Sequence, residues 1–255
     1  MITIVDAILS GFIVALASIL PLSPEGEPLA SLISKYSYLL VPAYLGVAFA
    51  VLFYFRDEFS RECLHAMRGI YRAPLKFVAF ASLFTVLVGY PLWRFSPDLP
   101  KEVSAVVNLL LGAIIVLYSL RPHLNPLKDP DEKLPEEPSM VDSLSAGLAG
   151  GIAVLGSLSR TGFVLSALIL PRHKPREVLE WTLWVAPAYM FLKLALIPWN
   201  SSGDVWVPFT AFLSGFITSL IVIYLLLALA ERRGKEVLVI LGLIAVVVYS
   251  LEVLV

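Results

Sequence analysis

Cysteine is almost missing from this chain. The single Cys63 excludes an intrachain disulfide and any multi-cysteine metal site. Histidine is nearly as scarce: His65, His123 and His173 fall in three separate charged stretches, too dispersed for a metal cluster. Charge is sparse, at 15% of residues, and the formal net charge of -1 leaves no basic face for a nucleic acid partner. The N-terminus has neither a basic leader region nor a small-residue cleavage site, so no removable signal peptide is expected. What fills the 255 residues is apolar side chain, 58% of the total, in uncharged runs long enough to cross a bilayer. The composition predicts an all-α polytopic membrane protein, multi-pass in the cell membrane.

One polar interruption organises the chain: Gly156-Ser157-Leu158-Ser159-Arg160-Thr161-Gly162. Uncharged, mostly apolar residues run from Ser143 to Ser159 on one side and from Thr161 to Leu170 on the other. Ten helical residues reach about 15 Å, roughly half of a hydrocarbon core about 30 Å thick. A helical hairpin that dips in and turns back is expected over 142–170. An arginine at that depth costs about 3–17 kcal/mol, so it requires a polar cavity and a partner. Ser157, Ser159 and Thr161 offer hydroxyls, and Gly156 and Gly162 permit close backbone approach. The half-helix after Gly162 is expected to aim its positive end at an anion. The competing reading is an arginine that ties two helices through backbone carbonyls.

Residues 2–22 repeat this pattern, ending in Leu20-Pro21-Leu22-Ser23-Pro24-Glu25-Gly26-Glu27-Pro28 before a short apolar run to Ile33. Sliding the chain by 136 residues aligns Asp6 with Asp142, Gly11 with Gly147, Ser23 with Ser159 and Gly26 with Gly162. Pro42-Ala43-Tyr44 answers Pro187-Ala188-Tyr189 further along. The two halves are an internal duplication. Residues 1–120 hold a re-entrant hairpin at 3–34 and spans at 36–55, 75–95 and 103–120. Residues 141–255 hold the hairpin at 142–170 and spans at 177–197, 208–230 and 237–254. Three crossings per half force the second half to be inverted. Between them, 121–140 reads as a charged, proline-rich cytoplasmic linker, and 57–72 reads as an amphipathic helix on the inner surface. Asp6 and Asp142 are expected as helix caps, Pro42 and Pro187 as kinks in matched spans, and Lys193 as snorkelling towards the outer interface.

Glu25 and Glu27 are the acids of the first hairpin. In a glycine-separated loop they suit a divalent cation, Mg or Ca, or one serves as general base. The bland reading is a solvated loop tip. The duplication sets Glu25 opposite Thr161, which makes a facing Glu–Arg arrangement the expected answer to the partner of Arg160.

These two loops resemble the undecaprenyl pyrophosphate phosphatase family, also known from bacitracin resistance. Its first hairpin ends in Leu-Pro-(Ile/Val)-Ser-Ser-Thr-Gly-His and its second carries Pro-Gly-x-Ser-Arg-Ser-Gly. Ser23, Ser159, Arg160 and Thr161 match. Two family glutamates fall on Val14 and Ser18, the family histidine on Glu27, and the family proline and glycine on Gly156 and Ser157. The resemblance implies an enzyme that removes one phosphate from a polyprenyl diphosphate, with Arg160 holding the diphosphate beside Ser157, Gly26 and Gly162. Ser159, Thr161 or Ser23 is then the nucleophile or a positioning donor, and Glu25 and Glu27 carry the acid function and the metal. A transporter or flippase of a polyprenyl phosphate or another amphipathic anion is the rival. Expected partners are a polyprenyl diphosphate or phosphate lipid, membrane lipids and, as a homodimer, a second copy of the chain.

The charge distribution sets the orientation. Arg56, Arg61, Arg68, Arg72 and Lys76, with Arg121, Lys128, Lys133, Arg172, Lys174, Arg176, Arg232, Arg233 and Lys235, crowd one side, against Lys35, Arg94 and Lys101 on the other. The crowded side is expected to be cytoplasmic and the C-terminus outside. In a Cys63-replaced protein, a thiol introduced near Ser202 should label from outside only; labelling from the cytoplasm alone overturns the orientation.

Overall fold

The computed structural model describes residues 4–26, 29, 39–96, 99–121, 137–171, 173–197 and 205–254. These residues form helices and turns, with no strand among them. In chain order the helices are α1 (Ile4–Ile19), α2 (Leu40–Tyr54), α3 (Arg56–Met67), α4 (Ala73–Phe95), α5 (Lys101–Ser119), α6 (Met140–Ile152), α7 (Arg160–Ile169), α8 (Pro175–Trp184), α9 (Ala186–Leu196) and α10 (Trp206–Leu254). α4, α5 and α10 are long and apolar enough to cross a membrane. The chain is a multi-pass membrane protein, helical throughout its described spans.

α10 runs for 49 residues but leaves helical geometry at Arg233 (φ −141°, ψ 50°). A straight helix of that length would reach about 74 Å at 1.5 Å per residue, more than twice the roughly 30 Å core. The break falls where Arg232, Arg233 and Lys235 interrupt the apolar run, between the stretches 208–230 and 237–254. α2 turns by 67° into α3. α3 buries none of its residues, as suits a charged helix lying on a surface.

The stretch 177–197, expected as one span, is instead two helices that meet at Val185 (φ −88°, ψ −5°). Proline is the physical reason. Pro187 has no amide to donate to the Leu183 carbonyl four residues back, and that carbonyl takes the Val185 amide instead. Pro42 sits likewise in the first turn of α2, so both prolines begin helices where kinks in continuous spans were expected. The second arm of the hairpin at 3–34 and most of the linker 121–140 lie outside the described residues.

Small residues let these helices approach closely. Gly11 of α1 lies against the Ala211 carbonyl and the Gly215 amide of α10, and Gly147 of α6 lies against the Ala81 carbonyl and Phe84 of α4. α5 and the C-terminal half of α10 cross where Gly112 faces Gly242. Thr85 Oγ1 donates to the Gly147 carbonyl at 3.3 Å, which adds a polar tie between α4 and α6. Without water in the bilayer core, such close contact is the main source of helix association.

A Cβ at Gly112 would stand 2.9 Å from Ala245 Cβ and 3.0 Å from the Gly242 carbonyl. Gly112→Val should lower stability by about 1–3 kcal/mol, the usual cost of overpacking. Thermal unfolding in detergent checks this, and an unchanged midpoint would mean the crossing is looser than described.

Candidate active site

The turn between α6 and α7 is held from behind. Gly156 has φ +54°, a left-handed conformation that favours glycine, and a Cβ there would meet Ser104 Oγ at 3.1 Å and Leu99 Cβ at 3.2 Å. Asn108, buried in the middle of α5, donates from Nδ2 to the Ser157 carbonyl at 3.0 Å and accepts the Ser159 amide at 2.8 Å. One side-chain amide thus replaces two backbone partners that a turn inside a membrane protein cannot take from water. Ser159 Oγ accepts the Gly162 amide at 3.1 Å and caps α7. The helix therefore starts at Arg160, ahead of the expected start after Gly162, with Gly162 inside its first turn.

The Arg160 guanidinium is 4% exposed. Nη1 donates to the Thr182 carbonyl at 2.8 Å, and Nη2 to the Ser18 carbonyl at 3.1 Å and to Thr161 Oγ1 at 2.7 Å. Thr161 Oγ1 in turn donates to the Ser18 carbonyl at 2.7 Å. Both carbonyls belong to last turns. Ser18 lies in the last turn of α1, ahead of Pro21, and Thr182 in the last turn of α8, ahead of the break at Val185. Each is an acceptor that its own helix leaves open, at an end where the macrodipole is negative and favours a cation. The partner of Arg160 is therefore a pair of helix ends, not the facing glutamate expected from the duplication.

Glu25 is engaged elsewhere. Lys193 Nζ donates to its Oε1 at 3.0 Å and its Oε2 at 2.8 Å, and the Tyr44 hydroxyl donates to Oε1 at 3.2 Å. Lys193 is 6% exposed, so it is buried on an acid and does not snorkel outward. This arrangement does not fit a divalent cation at Glu25: an ammonium occupies both carboxylate oxygens. Glu27, the expected second ligand, lies outside the described residues. No group of three or more His, Cys, Asp or Glu suited to a metal occurs among the described residues.

Arg160 and Thr161 wall a small cavity with Ser18, Leu22, Pro24, Tyr44, Leu158, Tyr189 and Met190. It lies where the turn after α1, the turn before α7 and the matched tyrosines of α2 and α9 converge. Two polar atoms of its walls, Arg160 Nε and Ser18 Oγ, are buried without a hydrogen-bond partner. Among the proposed nucleophiles only Thr161 lines the cavity. Ser23 is buried in the first turn, where its Oγ accepts the Glu25 amide at 3.3 Å and its carbonyl accepts the Gly26 amide at 3.1 Å. Ser157, Ser159 and Gly162 form the second turn behind Arg160, and Gly26 closes the first.

Asn108, Lys193 and the two tyrosines are site residues that motif reading missed. Each left a signal: a lone amide in 103–120, a lone cation in 177–197, and the repeated Pro-Ala-Tyr. His173 is another surprise. Its Nε2 stands 3.1 Å from Asp142 Oδ1, both side chains only 2% exposed, and Asp142 also closes a capping box with Ser139. That pair anchors the start of α6 away from the cavity.

A helical membrane protein with a buried cationic cavity between two polar turns is the class these features define. The family model described as "Bacitracin resistance protein BacA" matches residues 7–248, and the chain belongs to that family. Three relatives named undecaprenyl-diphosphatase are similar over most of their length. The one from Saccharolobus solfataricus is 30% identical over 226 residues, 80% of this chain and 77% of the relative. That from Methanopyrus kandleri is 26% identical over 260 residues, 95% and 94% of the two chains. That from Methanococcoides burtonii is 26% identical over 196 residues, 71% and 72%.

Asn108→Ala should leave a carbonyl and an amide unpaired in the turn, at about 1–3 kcal/mol for each buried group. Unfolding in detergent should shift down accordingly, and Asn108→Asp should recover only the contact to the Ser159 amide. Wild-type stability in both variants would remove Asn108 from the site's support.

Proposed function

We propose that this chain is an integral-membrane polyprenyl diphosphate phosphatase, acting on an undecaprenyl-type diphosphate and leaving the lipid monophosphate carrier. The observation that carries the reading is Arg160: a buried guanidinium, held by two helix ends, with an unpaired N–H beside a cavity. A diphosphate is the kind of ligand such a group binds, because its oxygens take N–H donors and its charge suits a cation. The family and the names of the relatives point to the same chemistry.

In the reaction the terminal P–O–P bond breaks, water supplies the oxygen that ends on inorganic phosphate, and the prenyl monophosphate departs. Arg160 stabilises charge that grows on the phosphoryl oxygens as this bond opens. The amides at the start of α7 add a positive dipole from the same turn. Thr161, at the cavity wall, is placed to orient the reacting phosphoryl group, with Ser159 and Ser23 as the other hydroxyl candidates. The apolar faces of the surrounding helices suit the prenyl chain.

The architecture we infer is an inverted repeat with re-entrant hairpins at 3–34 and 142–170. Three observations support it. α7 has ten residues, too few to span. The turn regions of the two repeats touch through Thr161 and Ser18. The contact of Gly11 with Ala211 and that of Gly147 with Ala81 join equivalent elements of the two repeats. The C-terminus then faces outside, as the charge distribution requires. Transport of a polyprenyl phosphate without hydrolysis is the second reading, favoured by the apolar Val14 and the neutral Ser18 where the family carries glutamates.

Arg160→Ala should lower phosphate release from undecaprenyl diphosphate by about 10²–10³-fold. It should also lower the unfolding temperature, since two helix ends lose their donor. Arg160→Lys separates these effects: an ammonium can hold a carbonyl but lacks the two-pronged geometry, so stability should return while kcat does not. Full activity in Arg160→Lys overturns the assigned role. Binding of the lipid without release of phosphate by the wild type replaces the enzyme with the carrier.

A further inference from the structure

We propose that Lys193 is a built-in counter-cation that makes this phosphatase independent of divalent metal; the inference rests on the phosphatase reading above. Two observations converge on it. First, the only described carboxylate near the cavity is already neutralised, with both Glu25 oxygens on Lys193 Nζ at 2.8 and 3.0 Å and a third hydrogen bond from Tyr44. A divalent ion takes six or more oxygen ligands and leans on carboxylates, and it would have to displace a like-charged ammonium to reach this one. Second, the pair is joined to the cavity by its tyrosine wall. Tyr44 lines the cavity and donates to Glu25, while Lys193 Nζ stands 6.0 Å from the ring centre of Tyr189, which also lines it.

Among the described residues the charges of this group are Arg160 and Lys193 against Glu25, which leaves one net positive charge at a largely buried site. An arriving diphosphate meets Arg160 at the cavity wall, with Lys193 as a second cation behind the tyrosine layer. Glu25 holds the ammonium in place as a positioning residue. The pair is also asymmetric within the duplication. Glu25 falls opposite Thr161, and Lys193, carried back along the Pro-Ala-Tyr match, falls opposite Ala48. Neither charge has a counterpart in the other half, so the ion pair belongs to the site and not to the repeated frame.

The test uses purified full-length protein, undecaprenyl diphosphate, and a titration of magnesium or calcium that starts in excess chelator. Release of phosphate should be the same in chelator as in metal, and calorimetric titration with either ion should show no site. Lys193→Met should lose about 10²-fold in chelator and regain part of it on adding metal, because Glu25 is then free to ligate. Calorimetry should now detect a site. Lys193→Arg should fold and keep a flat metal profile, which secures the test should Lys193→Met not fold. Wild-type release that vanishes in chelator and returns with metal overturns this proposal and leaves the phosphatase standing. Wild-type rates for Lys193→Met in chelator also overturn it. No release under any condition removes the phosphatase reading itself, and this inference with it.

Discussion

A helix that stops inside a membrane protein leaves carbonyls with no amide to accept from, and lipid supplies no water to replace it. α1 and α8 both stop this way, next to Pro21 and ahead of Pro187. Arg160 reaches both ends at once through Ser18 and Thr182. The exchange is mutual: the helix ends gain donors, and the guanidinium gains acceptors at the negative poles of two dipoles. Together they fix the position of the turn that carries Ser159, Arg160 and Thr161. The rest of the site follows from that tie.

Holding such a turn in place requires rigidity around it, which here comes from short-range contact. Asn108 binds the turn from α5, while α5 is itself pressed to α10 through Gly112 and Gly242. α6, which leads into the turn, is pressed to α4 through Gly147. A guanidinium aimed at a phosphoryl group must be held within a fraction of an ångström to stabilise developing charge. Close helix crossings on both sides of the turn provide that stiffness, and they do so with residues that carry no chemistry.

Much of this was legible in the sequence, and the parts that were not share one cause. Arg160 stood out because a charge in an apolar run has a cost that spacing alone reveals. Its flanking serine and glycines followed from turn chemistry, and the break in α10 from three cations in four residues. Partners were not legible. Glu25 was set against Arg160 by the duplication, yet it pairs with Lys193, 168 residues away. Asn108 and Lys193 are single polar residues in ordinary spans, and their meaning depends on which turn the fold brings alongside. His173 stands in a charged stretch, and nothing in the sequence sets Asp142 beside it. Periodicity reports a residue's own environment, whereas a buried ion pair is decided by packing between distant segments.

The relocation of acid charge has an electrostatic consequence. At the two positions where the family's first hairpin carries glutamates, this chain has Val14, packed in an apolar cluster with Tyr44, Val47 and Tyr189, and Ser18, whose carbonyl and not its side chain meets Arg160. A carboxylate at the arginine would cancel its charge. Carbonyls only solvate it, since dipoles lower the energy of a buried cation without removing its field. Arg160 thus keeps a full positive charge for an incoming anion, while Glu25, the one nearby acid among the described residues, is occupied by a lysine. For a ligand that carries its own negative charge this arrangement costs less desolvation than displacing a carboxylate from a buried salt bridge. The site is one that a diphosphate completes.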